Sequence, residues 1–111
     1  MIFAKADHIR QIIAGTKTQT RRLAKIGGRL YSVGRTYAIQ PGRGKPGIPQ
    51  GRILITGCRL ELRCDRISVE DAKAEGGYTP EEYEALFEQM YPGWRSRYAY
   101  TFKFIPAEAQ P

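Results

Sequence analysis

Arg52-Ile53-Leu54-Ile55-Thr56-Gly57-Cys58-Arg59-Leu60-Glu61-Leu62-Arg63-Cys64 is the clearest strand region of the chain. Ile53 and Ile55 fall on one face of an extended backbone, and Leu60, Leu62 and Cys64 resume the period of two further on. Gly57 stands between the two runs, and a glycine inside a strand marks a bulge or a bend at a barrel corner. On the N-terminal side, Pro41 to Gly51 is rich in glycine and proline and carries Arg43 and Lys45, which reads as a mobile loop. It is not a phosphate-binding loop, because no Ser or Thr follows Lys45 and the glycine spacing is wrong. Before it, Tyr31 to Gln40 reads as a strand region in which Tyr37 and Ile39 alternate.

On the C-terminal side, Ser68-Val69-Glu70-Asp71 resembles a capping box with Asp in place of Glu, opening a short helix that runs out at Gly76-Gly77. Thr79-Pro80-Glu81-Glu82 is a stronger start signal, with proline at the first helical position. Tyr83, Leu86, Phe87 and Met90 then form an apolar stripe at helical spacing, expected in the core. A last strand puts Tyr98, Tyr100, Phe102 and Phe104 on one face. At the other end, Asp7 is expected to cap a helix carrying Ile9, Ile12 and Ile13 as core residues, with Gly15 ending it. Helix, several strands, two helices and a strand give an α+β chain, expected as a small, mainly antiparallel β-barrel with about three helices at its ends. One domain over residues 1–105 and a frayed tail over 106–111 are expected.

With 111 residues, 41% hydrophobic and 26% charged, the composition is that of an ordinary globular protein. No apolar run approaches the length of a bilayer span and the N-terminus lacks a secretory signal, so a cytoplasmic location is expected. The net charge of +7 is uneven: residues 1–63 hold 13 basic and 2 acidic side chains, residues 64–111 hold 5 and 9. That asymmetry suggests an anionic partner, nucleic acid being the commonest. Cys58 and Cys64 lie too far apart along a strand to bridge and are expected as buried thiols. With His8 remote in sequence, no metal-ligand spacing exists, and neither a metal nor another cofactor is expected.

Gly15-Thr16-Lys17-Thr18-Gln19-Thr20-Arg21-Arg22 is too polar for a core and has no period. It follows a helix, where a loop can enter a cleft. Lys17 and Thr20 sit at an odd spacing, so in a straight strand they would face opposite ways and can converge only if the backbone turns.

The run from Ile12 to Arg22 resembles the signature of ASCH domains, a family with a PUA-like β-barrel fold. The resemblance continues through Tyr31-Ser32-Val33-Gly34, the strand from Gly51, the segment Ile67 to Gly76, Thr79 to Tyr83, Tyr91-Pro92-Gly93 and Tyr98 to Phe104. It implies one of two functions. A small bacterial branch of the family hydrolyses the exocyclic amide of N4-acetylcytidine and related N4-acylated cytidines to cytidine and a carboxylic acid. Other members resemble single-stranded RNA-binding modules or ribonucleases. The amidohydrolase branch uses a Lys, a Thr three residues later and a Glu near the end of the short helix, which fall on Lys17, Thr20 and Glu75. Arg21 and Arg22 are the expected substrate contacts, and in the RNA reading they join Arg43 and Lys45 on the backbone.

The chemistry of these residue types is coherent. Amide cleavage needs a nucleophile, an acceptor for its proton and a stabilised oxyanion. Thr20 offers a hydroxyl, and a Lys17 of depressed pKa could take its proton. Glu75 next to that lysine would raise its pKa and oppose the base role; alternatively, Glu75 activates a water and Lys17 steadies the oxyanion. Glu75 also sits in the last turn of its helix, where the dipole disfavours a carboxylate unless a cation compensates. Tyr31, Tyr37, Trp94 and Tyr98 are available to stack on a base.

Overall fold

The computed structural model describes residues 1–25, 28 and 30–109. Helix α1 (Ala6–Ala14) leads into strand β1 (Gln19–Leu23), then β2 (Thr36–Ala38) and the long β3 (Gly51–Leu62). Helices α2 (Val69–Gly76) and α3 (Pro80–Met90) precede the closing strand β4 (Ser96–Pro106). The strands form one antiparallel sheet in the order β1-β4-β3-β2.

The expected mainly antiparallel α+β architecture is present as this sheet; among the described residues it is not closed into a barrel, because edge strands β1 and β2 are not paired with each other. The N-terminal segment lies between the two edges. On the β2 side, Phe3 N–H donates to Gln40 O at 2.8 Å and Ile2 bridges Gln40. On the β1 side, the Arg22 guanidinium donates to Ile2 O at 2.7 Å.

The alternation around Gly57 is resolved by a bulge. Ile55 pairs Phe102 and Gly57 pairs Thr101, leaving Thr56 as the extra residue. Positions on the apolar face therefore pass from odd (Ile53, Ile55) to even (Cys58, then Leu60, which is exposed), opposite Phe104, Phe102, Tyr100 and Tyr98 in register. This apolar face packs on Ile12 of α1, Ile39, Met1 and Phe3. Gly57 is required there, since a Cβ would lie 2.6 Å from Thr101 Oγ1.

The opposite face carries Arg21, Glu61, Arg97 and Ala99 in register and is covered by α2 and α3. A second core, of Ile67, Ala72, Tyr83, Phe87 and Trp94, closes that side. The two helices start as their sequences require. Thr79 and Glu82 form a reciprocal capping box. Ser68 Oγ accepts from Asp71 N–H, but the Asp71 carboxylate is used elsewhere.

Several expectations are corrected. Lys5, not Asp7, is the N-cap of α1; Asp7 lies in the first turn and pairs with Arg10. Ile12 is fully buried and Ile9 partly so, whereas Ile13 is exposed, because it lies off the stripe that Ile9 and Ile12 share. Strand structure in 31–40 is confined to β2, since Gly34 at φ 88° turns the chain just before it. Cys64 lies in the turn after β3; both thiols are free, Cys58 half-buried and Cys64 exposed. Leu86 is half-buried and Met90 exposed, so only Tyr83 and Phe87 of the α3 stripe are core. Where fraying is expected, Pro106 ends β4 and residues 107–109 form a 3-10 turn, with Ala107 N–H on Gln50 O; residues 110 and 111 lie outside the described residues.

Candidate active site

A cleft of about 250 Å³ opens along edge strand β1. Ile2 to Lys5, His8 of α1, Glu75 of α2 and Tyr83, Leu86 and Met90 of α3 form its walls. Lys17, Thr20, Arg21 and Arg22 line it from β1 and the residues just before that strand. Lys17 precedes β1, so the odd spacing to Thr20 does not separate them: both face the cleft. Its backbone is set by Lys17 N–H on Gln11 O and by Thr18, whose N–H donates to Ala74 O of α2.

Although the segment is too polar for an apolar core, Lys17, Thr20 and Arg21 are buried, at 2%, 5% and 3% exposure. Lys17 Nζ donates to Gln19 O at 2.7 Å and to the Glu75 backbone oxygen, and lies 3.4 Å from Glu75 Oε1. Three oxygens around one nitrogen are the surroundings of an ammonium ion. Burial nevertheless lowers the Lys17 pKa below the ordinary lysine value, against the raising effect of Glu75 and with help from Arg22 and Arg21.

Glu75 is itself divided between two cations. Arg21 Nη1 donates to its Oε2 at 2.8 Å, and Lys17 faces Oε1. The carboxylate at the C-terminal end of α2 thus has the compensation that its position calls for. Tyr83, under the same cleft, has its hydroxyl pKa raised by burial and by the Glu75 charge.

Arg21 has a different task from the substrate contact expected of it. Nε and Nη2 hold Glu61 in a bidentate pair at 2.8 and 2.9 Å, Nη1 takes Gln19 Oε1 and Glu75 Oε2, and Nη2 also reaches Asp71 at 3.2 Å. The guanidinium's five N–H groups match these five bonds, so none is left for a substrate. Glu61 continues the network to Arg97, which is fully buried and packs 4.4 Å from the Trp94 ring centroid and 4.9 Å from that of Phe87. Burial alone would raise the Glu61 pKa, but hydrogen bonds and charge from Arg21 and Arg97 bring it down to about 2.

Arg22 is on the opposite face of β1 from Arg21. Its Nε donates to Thr20 Oγ1 at 3.1 Å, its Nη2 to Ile2 O, and its plane lies 4.9 Å from the Phe3 ring centroid. These contacts fix the guanidinium at the cleft wall and leave Nη1 without a partner among the described residues.

Sequence reasoning missed His8, whose Nε2 is 2.8 Å from the Tyr78 hydroxyl. Burial, then the charges of Lys17, Lys5 and Arg22, lower its pKa to about 4, so it is neutral at pH 7. A usable signal existed: His8 lies one helical turn before Ile12, on the buried stripe. Tyr31, Tyr37, Trp94 and Tyr98 do not line the cleft; its rings are Phe3, Tyr83 and Tyr91, with His8. Arg43 and Lys45 lie on the exposed loop away from it. Among the described residues, no group of three His, Cys, Asp or Glu side chains is placed to hold a metal ion, and no helix is long and apolar enough to cross a membrane.

No protein-family model matches the chain, and no curated protein matches it in sequence. Solved structures do. The ASCH domain from Lactobacillus crispatus superposes with a TM-score of 0.66 over 89% of this chain and 70% of its own, at 18% identity. The fold is that of the ASCH domains. A protein of Enterococcus faecalis shares this fold at a TM-score of 0.64 and 19% identity, over 87% of this chain and 66% of its own. An S128A mutant of the Zymomonas mobilis ASCH protein does so at 0.59 and 12%, over 97% of this chain and 74% of its own. The sequence resemblance is thus matched at the level of fold, with an antiparallel sheet and three helices in the described residues.

Proposed function

We propose that this ASCH-fold chain is an amidohydrolase that cleaves the exocyclic amide of an N4-acylated cytidine, giving cytidine and a carboxylic acid. The observation that carries the reading is convergence. Lys17, Thr20 and Glu75, the last far away in sequence, line one cleft, with Lys17 in contact with Glu75. The sequence resemblance supplies the substrate class.

In this reading the neutral form of Lys17 takes the Thr20 hydroxyl proton, and Thr20 Oγ1 attacks the acyl carbonyl carbon. The Arg22 guanidinium, whose Nε already reaches Thr20 Oγ1 at 3.1 Å, supplies the positive charge that stabilises the oxyanion. Collapse of the intermediate breaks the C–N bond, and Lys17 returns the proton to the departing exocyclic amine of cytosine. A water, deprotonated by the same lysine, then hydrolyses the acyl-threonine ester, freeing the acid and restoring the hydroxyl. The mixed lining suits such a ligand: Lys17, Thr20, Arg22 and Glu75 supply polar groups, while Ile2, Phe3, Leu86, Met90 and Tyr91 offer apolar contact to a ring and an acyl chain. No step is routed through a metal.

The test is incubation with N4-acetylcytidine, followed by the absorbance change as cytidine appears, beside a tube of labelled single-stranded RNA. Turnover that is lost in Thr20→Ala supports the reading. Absence of turnover with retention or cutting of the RNA replaces it with the RNA function, for which the basic first half of the chain is the supporting feature.

A further inference from the structure

The site contains a contradiction that its three central residues do not resolve. A lysine that must surrender a proton lies against a carboxylate, and a carboxylate stabilises the ammonium. In the structure, however, that carboxylate is not Lys17's alone. Glu75 Oε2 is 2.8 Å from Arg21 Nη1, whereas Oε1 is 3.4 Å from Lys17 Nζ. The tighter contact is with the arginine.

We propose that Arg21 is a positioning residue of this cleft: it draws the Glu75 carboxylate away from Lys17, so that the lysine keeps its place yet can exchange its proton. The geometry suits this role. Arg21 cannot follow Glu75 towards Lys17, because Glu61 grips it from β3 with two bonds, Gln19 holds it from β1 and Asp71 from α2. Its side chain is fully buried, so water does not screen the competition. A permanently charged guanidinium also stays a cation at every pH where lysine titrates. Lys17 is meanwhile oriented by two backbone oxygens, of Gln19 and Glu75, which hold its nitrogen without adding a full negative charge.

The charged and titratable groups facing Lys17 are Glu75 of α2, Arg21 and Arg22 of β1, and His8 of α1, with Tyr83 of α3 beyond Glu75. His8 is neutral at pH 7 and Tyr83 is held in its neutral form, which among the described residues leaves Glu75 as the anion acting on Lys17 and the two arginines as the opposing cations. Replacing Arg21 with a neutral residue removes a repelling charge and releases Glu75 to Lys17. Both changes act in the same direction and favour the ammonium.

The inference rests on the proposed proton-carrying role of Lys17, but its test does not need turnover. Lysine carrying ¹³C at Cε is incorporated, the Lys17 resonance is identified by its loss in Lys17→Arg, and its titration is followed from pH 6 to 11 in the free protein. In Arg21→Gln the midpoint should move up by about one pH unit or more. In Arg21→Lys, which keeps a cation near Oε2 but cannot make five bonds, it should move less. Because Arg21→Gln leaves Glu61 without a major partner, the double variant Arg21→Gln, Glu61→Gln is measured beside it, and the Arg21→Lys order decides if neither folds. An unchanged Lys17 midpoint in the variants that fold, with only a lower melting temperature, makes Arg21 purely structural and overturns the proposal. If the midpoint moves but N4-acetylcytidine is never hydrolysed, the assigned activity fails and the Arg21 role stands. If the activity holds, the rising limb of kcat against pH should move up with the same variants.

Discussion

Glu61→Gln should unfold this protein far more easily than any exposed acid replaced in the same way. Glu61 bridges two fully buried guanidiniums, taking two bonds from Arg21 and one from Arg97, and also meets Arg59 at 2.9 Å. Its pKa falls from 4.5 to about 2 on folding, a displacement set by those arginines against the opposing cost of burial. At about 1.4 kcal/mol per unit, the ionised form contributes roughly 3 kcal/mol of stability at neutral pH. Glutamine approximates the protonated acid in shape and charge, so the substitution should cost about the same, within the 3–5 kcal/mol range for breaking a buried pair. For a domain near 100 residues, that is a fall in Tm of about 10–20 °C.

The pH dependence makes the test specific. The folded-state value is the lower one, so the contribution is complete above pH 4.5 and disappears as the pH falls from there towards 2. Other carboxylates titrate in that window, Asp71 among them, with its pKa lowered by Gln19, Arg59 and Arg21 against burial. The informative quantity is therefore the difference between wild type and Glu61→Gln. Urea denaturation at pH 7 should separate the two by about 3 kcal/mol, and at pH 2.5 the gap should have largely closed. A gap below about 1 kcal/mol at pH 7, the scale of an exposed pair, or one that persists undiminished in acid, refutes the account of Glu61 as the anionic keystone of the two arginines.

Thr20→Ala should nearly abolish N4-acetylcytidine hydrolysis with little change in Tm, Thr20→Ser should keep part of the rate, and Lys17→Arg should lose it, because a guanidinium holds its proton at neutral pH; rates and melting curves of the purified variants decide. The rising limb of kcat with pH should fall below the ordinary lysine value, since burial favours neutral Lys17; a limb at or above 10.5 contradicts that. Gly51→Ala should destabilise the fold by about 1–3 kcal/mol, because a Cβ there would lie 2.3 Å from the Ile105 carbonyl oxygen; denaturant midpoints measure it. Chelators should leave turnover intact, and loss with EDTA that a divalent ion restores would contradict the proposed chemistry.

What the sequence discloses and what it hides divide along the two faces of the sheet. The apolar face is legible because one-body hydrophobicity dictates it: Ile53 and Ile55 before the bulge, and Tyr98 to Phe104 opposite, announce their sides by period alone. Local hydrogen bonding is equally legible at Thr79 and Glu82, where the capping partners are three residues apart. The charged face is not. Arg21, Glu61, Glu75 and Arg97 come from β1, β3, α2 and β4, and each read alone is a surface residue. Burying any one of them unpaired is prohibitive, so their burial is a property of the set, with no periodic trace in any one segment. Two local anomalies did point to it: Glu61 is one of only two acids in residues 1–63, and Arg97 interrupts the approach to an aromatic strand. The same logic explains why Lys17, Thr20 and Glu75 are found more readily by resemblance than by pattern. That all three line one cleft depends on Thr18, just before β1, pairing with Ala74 of α2, and on Arg21 holding Glu75 in a layer that hydrophobicity does not encode. A face built from mutual charge neutralisation leaves the geometry of the cleft, and with it the proposed chemistry, hostage to distant partners, and Glu61 is the residue through which β3 and β4 exert that hold on the cleft.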